Sequence, residues 1–230
     1  MILIVPLAGP DFEGDDGRVK SERPVQGLPL LRRALESRAW WGEAVEQLIF
    51  VLRDTARSRR FAEERLQAWY PAADVVYLSA GTLGAAFSAA AGLALIRDAD
   101  APVVVDLCDI LFEADVDVRG AFAASSRLGG LAVTFPSGRP KYSYLTFDDR
   151  GDMLAAREKV VISGAASAGV YMFRSSAVFL RALAASVEQR ETLAHNGVLF
   201  VCPMLNGVKD QGLVVRAAPA SNVVDVADLL

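Results

Sequence analysis

Cysteine and histidine, which most often hold zinc and other transition metals, are scarce in this sequence of 230 residues. The two cysteines, Cys108 and Cys202, are too few for a disulfide framework or for a four-cysteine zinc site. The one histidine, His195, has no identifiable partner, so we interpret it as an ordinary loop residue. These absences exclude most zinc, disulfide and histidine-based triad chemistry.

Long hydrophobic runs and an excess of positive charge are also missing. Apolar runs such as 103–105 and 128–135 have the length of strands, far below the roughly 20 residues of a membrane-spanning helix. The segment 1–8 has no basic start and does not resemble a secretory signal. A net charge of −4 disfavours non-specific binding to nucleic acid or anionic membranes. We therefore expect a cytoplasmic protein with no nucleic-acid and no membrane partner.

What the chain does have is the composition of a well-filled globular domain, with 53% hydrophobic and 23% charged residues. It contains no internal repeat and no linker rich in Pro, Gly or Ser, so we predict a single domain over 1–230. In the first half, short apolar runs alternate with longer stretches of helical spacing. The predicted strands cover 2–6, 48–52, 75–78 and 103–106, and the predicted helices cover 28–47, 61–69 and 85–96.

This alternation predicts an α/β fold with a mixed, mostly parallel sheet and helices on both faces. The second half changes character, because its strand-like runs are closely spaced and joined by Gly, Pro and Asp turns. We expect antiparallel strands at 131–135, 142–147 and 170–173, followed by helices at 175–190 and 203–208. Ligands of such sheets bind beyond the carboxyl ends of the strands. The residues of interest therefore follow Pro6, Leu78 and Asp106.

Two of these turns carry small residues that suit a nucleotide. After the first strand, Leu7, Ala8 and Gly9 could present backbone N–H groups to a phosphate or a base edge, although an irregular surface loop explains them equally well. After the third strand, Thr82 and Gly84 precede a helix, and small residues there let a flat ring approach the backbone. The alternative is a helix start that is capped by Thr82.

The turn after the fourth strand carries carboxylates, Asp106 and Asp109. A carboxylate at the end of a buried strand is well placed to hold Mg²⁺, which prefers oxygen ligands and usually shares them with substrate phosphates. Either aspartate could instead cap the next turn. Between them, Cys108 is expected to pack as a small buried side chain, because no base is identifiable that would activate it as a nucleophile.

Taken together, these turns and several later segments resemble the sugar-phosphate nucleotidyltransferases of the GT-A-type fold. The stretch from Lys20 to Leu31 is similar to the family's lysine-proline segment, which ends in G-x-P-L/M-L/I. Residues 82–86 resemble its T-x-G-A/T-A turn, and Asp109 falls on its metal-binding aspartate. The later matches, to the family elements K-W-S-Y, E-K, T-G-I-Y-Y-F and N-G, are Lys141-Tyr142-Ser143-Tyr144, Glu158-Lys159, 167–173 and Asn196-Gly197. They are most similar to the smaller members of capsule, phosphocholine or related pathways.

The resemblance implies a Rossmann-like GT-A fold and transfer of a nucleotidyl group from a nucleoside triphosphate to a small phosphorylated acceptor, with release of pyrophosphate. It implies Mg²⁺ as cofactor and leaves a homo-oligomer open. The implied site residues are Lys20 as the catalytic lysine, Leu7, Ala8, Gly9, Thr82 and Gly84 for the nucleotide, Glu158, Lys159 and Gly169 for the acceptor, and Asp109 and Asn222 for the metal. Without the resemblance, Glu158 and Lys159 would be a solvated charge pair on a strand.

Two stretches depart from the family's pattern and keep alternatives open. The loop 10–16 replaces the family's G-x-G-x-R with a proline and four carboxylates, where phosphates are expected. Asn222 stands where the family's second aspartate is expected, and an amide contributes no charge. One alternative is a nucleotidyltransferase-like protein that has lost catalysis and serves as a binding or regulatory subunit. Another is a GT-A glycosyltransferase that uses Asp106 and Asp109 as a loose acidic pair.

Overall fold

A central β-sheet with helices on both faces organises the computed structural model, which describes residues 1–42 and 44–229. The strands are β1 (Ile2–Pro6), β2 (Pro24–Val25), β3 (Leu28–Pro29), β4 (Gln47–Arg53), β5 (Asp74–Leu78), β6 (Val103–Asp106), β7 (Ile110–Glu113), β8 (Leu128–Pro136), β9 (Tyr144–Phe147), β10 (Met153–Arg157), β11 (Ala165–Phe173), β12 (Val214–Pro219) and β13 (Ser221–Asp225). The helices are α1 (Leu30–Glu36), α2 (Ala56–Phe61), α3 (Gln67–Trp69), α4 (Ala85–Gly92), α5 (Val118–Ala124), α6 (Ser176–Glu188), α7 (Arg190–Leu193) and α8 (Val201–Asp210). A π-helical stretch, Ala62–Leu66, joins α2 to α3.

The strand order of the sheet is β10-β9-β11-β6-β1-β4-β5, with β8 and β12 joined to it through β11. Strand β1 pairs in parallel with β4 and with β6, and β4 pairs in parallel with β5. Strand β11 runs antiparallel to β6, which confirms the change to antiparallel strands in the second half. The predicted mixed α/β fold is confirmed. Among the described residues, no helix has the length and apolar character that crossing a bilayer requires.

The core lies on both faces of the sheet because its central strands are apolar at nearly every position. In β1, Ile2, Leu3, Ile4 and Val5 are all buried. Leu3 and Val5 pack into one cluster with α1 and α2, and Ile2 and Ile4 pack into another with α4, α6 and α8. Such continuous apolar runs are typical of parallel strands that are covered twice.

The helix predicted over 28–47 is wrong in extent. Residues 28 and 29 pair with β2 as a short strand, and α1 begins at Leu30 after the extended Pro29. The buried apolar residues of α1 end with Leu35, and the helix itself ends at Glu36. Beyond it the chain turns so that Arg38 and Trp40 enter the core, and Gly42 takes a φ of 100°, outside the helical region. The burial of Arg38 and Trp40 in the core therefore decides where the helix ends, against the longer helix that the sequence pattern predicts.

Candidate functional site

The carboxyl ends of the parallel strands β6, β1, β4 and β5 meet at one edge of the sheet. From β1 the chain moves to β4 and β5 on one side, and β6 then returns to pair with the other side of β1. The order of strands thus reverses next to β1, which is where open α/β sheets bind their ligands. The turns 7–9, 80–84 and 107–109 follow these strands and face this edge.

Lys20 and Asp109, which are 89 residues apart in sequence, meet at this edge. The Lys20 Nζ donates to Asp109 Oδ1 over 2.6 Å and to Asp11 Oδ2 over 3.1 Å. The backbone N–H of Lys20 donates to Phe12 O over 2.7 Å, and the buried Phe12 ring packs edge-on against Phe61. The first loop is therefore a folded segment that holds the lysine over the carboxyl end of β6.

Burial and charge act in opposite directions on this pair. Burial alone would lower the pKa of Lys20, but Asp109 and Asp11 outweigh it and raise that pKa above its usual value. Desolvation raises the pKa of Asp109, against the opposing effect of Lys20. The Asp109 side chain is half-exposed. Lys20 therefore stays positively charged at neutral pH and is available to neutralise phosphate oxygens.

Most of the acidic loop turns away from Lys20, although its carboxylates were predicted to crowd the phosphate position. Glu13 accepts hydrogen bonds from the Thr55 and Ser58 hydroxyls. The bond from Thr55 lowers the pKa of Glu13 and outweighs desolvation, which acts in the other direction. Asp16 lies 3.8 Å from an Arg23 nitrogen. The carboxylate that reaches the lysine is that of Asp11.

The turn 80–84 is shaped by a close backbone approach. Thr82 Oγ1 donates to Gly84 O over 2.9 Å and contacts Ser88 Oγ at 2.7 Å, so it does not cap α4 as the alternative interpretation requires. Gly84 has a φ of 121°, and a Cβ there would lie 2.1 Å from Leu199 O. The Leu199 N–H in turn donates to Leu83 O over 2.9 Å. The glycine therefore lets the segment that follows Asn196-Gly197 lie directly against this turn.

The residues predicted for the acceptor belong to one connected polar region beside this edge. Glu158 is buried and accepts a hydrogen bond from the Ser143 hydroxyl, so it is not the solvated charge of the alternative interpretation. Desolvation raises the pKa of Glu158, against the effects of Ser143 and Lys159. The Lys159 Nζ lies 5.4 Å from the centre of the Phe200 ring. Gly169, with a φ of 77°, accepts the Leu107 N–H over 3.0 Å and so adjoins the turn of Asp109.

The second predicted metal ligand, Asn222, does not lie next to Asp109. It is exposed near the far end of the β7–β13 ladder, where its side-chain amide donates to Glu113 Oε2 over 2.8 Å. At about 3.3 Å per residue, three to four residues of strand place it roughly 10 Å along from Asp109. The residue of β13 that lies beside this position is Asp225, which pairs with Ile110, the neighbour of Asp109 in sequence. The backbone N–H of the following residue, Val226, donates to Asp109 O over 3.1 Å.

Asp225 is held in place by its own partners. Its Oδ2 accepts from Tyr142 Oη at 2.8 Å and lies 2.6 Å from Lys141 Nζ, and its Oδ1 accepts the Ala227 N–H at 2.8 Å. These bonds lower the pKa of Asp225 despite desolvation, which acts in the opposite direction and is the largest single effect. The sequence signal for it was an aspartate directly after the apolar run 223–224, which fits the end of a strand.

Within residues 1–42 and 44–229, no group of three or more His, Cys, Asp or Glu side chains is arranged to hold a metal ion.

Asp106 cannot serve as a loose partner of Asp109. Its carboxylate is fully buried and forms a two-pronged ion pair with Arg38, a residue inside the helix predicted over 28–47. Asp106 and Asp109 therefore do not form the acidic pair that the glycosyltransferase alternative requires. The prediction that Cys108 packs as a buried side chain is confirmed, and burial raises the pKa of its thiol well above the usual range.

Comparison with known proteins finds similarity in structure but not in sequence. No family model matches the chain, and no curated protein sequence matches it significantly. The nucleoside-diphosphate-sugar pyrophosphorylase of Vibrio cholerae RC9 superposes with a TM-score of 0.80 at 20% identity, over 98% of this chain and 95% of that chain. The inositol-1-phosphate CTP transferase of T. maritima gives 0.71 at 15% identity, over 96% and 86%. A Bacillus anthracis protein provisionally named a glucose-1-phosphate thymidylyltransferase, in complex with a sucrose, gives 0.71 at 15%, over 98% and 89%. The predicted nucleotidyltransferase-like fold is confirmed.

Proposed function

We propose that the protein transfers a nucleotidyl group from a nucleoside triphosphate to a small phosphorylated acceptor, such as a sugar phosphate, and releases pyrophosphate. The observation that carries the proposal is the 2.6 Å contact between Lys20 Nζ and Asp109 Oδ1 at the strand-order reversal. A lysine and a carboxylate at this place suit a triphosphate and its cation. Structures with this fold include enzymes named for nucleotidyl transfer to inositol and sugar phosphates, which supports the choice of reaction.

In the proposed reaction an oxygen of the acceptor phosphate forms a bond to the α-phosphorus. The bond from that phosphorus to the oxygen bridging to the β-phosphate breaks, and pyrophosphate leaves with the electron pair. The protein contributes mainly position and charge. Lys20 neutralises negative charge at the α-phosphate, where its ammonium group would exchange the carboxylates of Asp109 and Asp11 for phosphate oxygens.

The carboxylates at the edge suit Mg²⁺, which takes one or two carboxylates and several phosphate or water oxygens. We assign Asp109 as one ligand, since its carboxylate is half-exposed at this edge. We assign Asp225 as the second in place of Asn222, because the β7–β13 ladder brings its backbone beside that of Asp109. When bound there, Mg²⁺ would neutralise phosphate charge and orient the triphosphate.

Charge balance supports a divalent cation in this role. In the structure one ammonium group, that of Lys20, lies between the two carboxylates of Asp11 and Asp109. This cluster carries one net negative charge and would repel a triphosphate. With a divalent cation held by Asp109, the net charge of this cluster would be positive, and Lys20 would be free to contact the phosphates.

The remaining predicted residues are assigned by their place around the edge. The backbone of Leu7, Ala8 and Gly9 continues β1, and the turn with Thr82 and Gly84 follows β5, on the other side of β4. We assign base and ribose to these two turns. On the other side of the turn 107–109, the proposed acceptor residues are Glu158, Lys159 and Gly169. Glu158 and Gly169 are connected through Ser143 and Ser167, whose backbone groups hydrogen-bond over 2.8 Å.

The experiment measures pyrophosphate release with CTP, UTP, GTP, ATP and dTTP, each with Mg²⁺ and a panel of hexose 1-phosphates, inositol 1-phosphate and phosphocholine. Lys20→Ala should abolish release without changing the fold. Lys209→Ala, an exposed lysine whose Nζ donates to Leu154 O on the edge strand β10, should not reduce it. Binding of a triphosphate without turnover by the wild type would favour the binding or regulatory alternative. Turnover of a nucleotide-sugar without any triphosphate reaction would favour the glycosyltransferase.

A further inference from the structure

The short turn that presents Asp109 is bracketed by a buried ion pair. Arg38 Nε lies 2.8 Å from Asp106 Oδ2, and one terminal nitrogen of Arg38 lies 3.2 Å from Asp106 Oδ1. The same terminal nitrogen donates to Ile110 O over 3.0 Å. Both side chains are fully buried. Arg38 therefore connects the last residue before the turn to the first residue after it.

Inside the turn, the ion pair reaches the backbone directly. Asp106 Oδ1 accepts the Cys108 N–H over 2.8 Å. Cys108 has a φ of 56°, a left-handed conformation that residues with a Cβ rarely adopt unless their surroundings hold them there. The outer bonds are the Leu107 N–H to Gly169 O and the Val226 N–H to Asp109 O. Each residue of 107–109 thus has a fixed backbone group.

Stability is a poor explanation for this ion pair. Burying two charges removes them from water, and apolar side chains of similar volume often stabilise a core equally well or better. The Arg38 guanidinium also stacks at 3.8 Å over the Phe112 ring, and its other terminal nitrogen is buried without a hydrogen-bond partner among the described residues. The geometry that the pair imposes on 107–109 is the feature that an apolar pair could not reproduce.

We propose that Arg38 and Asp106 are positioning residues, which hold the 107–109 turn in the one conformation that directs Asp109 at Lys20 and at the substrate phosphates. Neither residue touches substrate. The inference rests on the proposed function for its catalytic consequence, but its structural part can be tested without turnover. Groups that orient a metal ligand typically change metal affinity or activity by about 10- to 100-fold when they are removed.

The first test uses Cys108 as a reporter inside the turn. Both cysteines of the folded protein are labelled with a small thiol reagent, and the rate at each site is followed by mass spectrometry. In Arg38→Met, Cys108 should react at least about tenfold faster than in the wild type, because the turn opens locally. Cys202, fully buried in α8, reports global unfolding, so any rise in its rate from lower overall stability should be at least about tenfold smaller than the rise at Cys108. Equal acceleration at both sites would indicate global unfolding and overturn the proposal, as would an unchanged rate at Cys108.

A matched control is Arg174→Met. Arg174 also stacks over a phenylalanine, Phe122, and donates to main-chain carbonyls, including Leu128 O over 2.6 Å. It follows β11 directly after Phe173, which pairs with Val103 at the opposite end of β6 from the turn. Loss of Arg174 should therefore leave the labelling rate at Cys108 unchanged relative to Cys202.

The second test separates position from stability with the double variant Arg38→Met/Asp106→Leu, which replaces the ion pair by apolar side chains. Its thermal midpoint should recover relative to Arg38→Met alone. Its kcat should stay about 10- to 100-fold below the wild type, with a raised Mg²⁺ requirement and little change in KM for the nucleotide. Wild-type kcat in this variant would overturn the positioning role. Absence of turnover in the wild type itself would count against the proposed function, while the labelling result would still decide the role of Arg38.

Discussion

Removing the carboxylate of Asp11 tests whether the first loop competes with substrate phosphates for Lys20. Asp11 Oδ2 lies 3.1 Å from Lys20 Nζ, and Asp11→Asn removes the charge while keeping the size of the side chain. The loop should stay folded, because the buried Phe12 and the anchored Glu13 hold it in place. The substitution therefore changes the charge that a triphosphate meets, and little else.

The size of the effect follows from exposure. The Asp11 side chain is 70% exposed, so water and salt screen its interaction with Lys20 strongly. Exposed ion pairs contribute up to about 1 kcal/mol, which corresponds to about a two- to fivefold change in affinity. We expect Asp11→Asn to bind the Mg²⁺-triphosphate about two- to fivefold more tightly at low ionic strength. The gain should shrink as salt is added, because screening weakens the competing contact.

Calorimetric titration with the triphosphate that supports turnover, at low and high salt, measures this change. Asp15→Asn is the matched control, since Asp15 lies in the same loop and makes no ion pair or side-chain hydrogen bond to the described residues. Equal or weaker binding by Asp11→Asn would refute the competition. An equal gain in Asp15→Asn would show that net charge, and not the contact with Lys20, sets the affinity.

Three further predictions concern the turn after β5, the metal ligands and the buried acid. Gly84→Ala should lower the free energy of unfolding in urea by more than about 2 kcal/mol, because φ is positive and the new Cβ meets a carbonyl oxygen, whereas Gly81→Ala has open space and should change little. Asp225→Asn should raise the Mg²⁺ concentration for half-maximal activity, and Asn222→Ala should leave it unchanged; the opposite result would restore Asn222 as the ligand. Glu158 has a folded-state pKa above its ordinary 4.5, so its native form binds the proton more tightly than the unfolded chain does. Wild-type stability should therefore fall relative to Glu158→Gln as pH rises from about 4.5 through the raised pKa, and parallel stability profiles from pH 4 to 8 would contradict this.

The sequence predicted the parallel half of the fold because that half is built from local signals. Strand β1 is an unbroken apolar run, β6 is apolar up to Asp106, and the helices that connect the parallel strands lie between them in sequence. The same rules placed the turns of Asp109 and Gly84 at one edge, since parallel strands end on the same side. Lys20 was assigned to this site by the resemblance of 20–31 to the lysine-proline segment, and the structure brings it into contact with Asp109.

What the sequence did not convey depends on pairing between distant segments. Asn222 and Asp225 differ by three positions, and only the register of the β7–β13 ladder decides which of them lies beside Asp109. The helix after Leu30 ended early because Arg38 turns inward to Asp106, a partner 68 residues away. Periodicity records which positions are apolar, but it carries no information about a charged partner in the core.

The most direct test of the account is the release of pyrophosphate by the wild type and by Lys20→Ala, measured in the same single-turnover reaction with Mg²⁺, the preferred triphosphate and a phosphorylated acceptor. We predict that the wild type releases one pyrophosphate for each nucleotide joined to the acceptor. Lys20→Ala should bind the triphosphate and release none above background. Equal release by the two proteins, or no release by the wild type with any of the five triphosphates, would contradict the central claim.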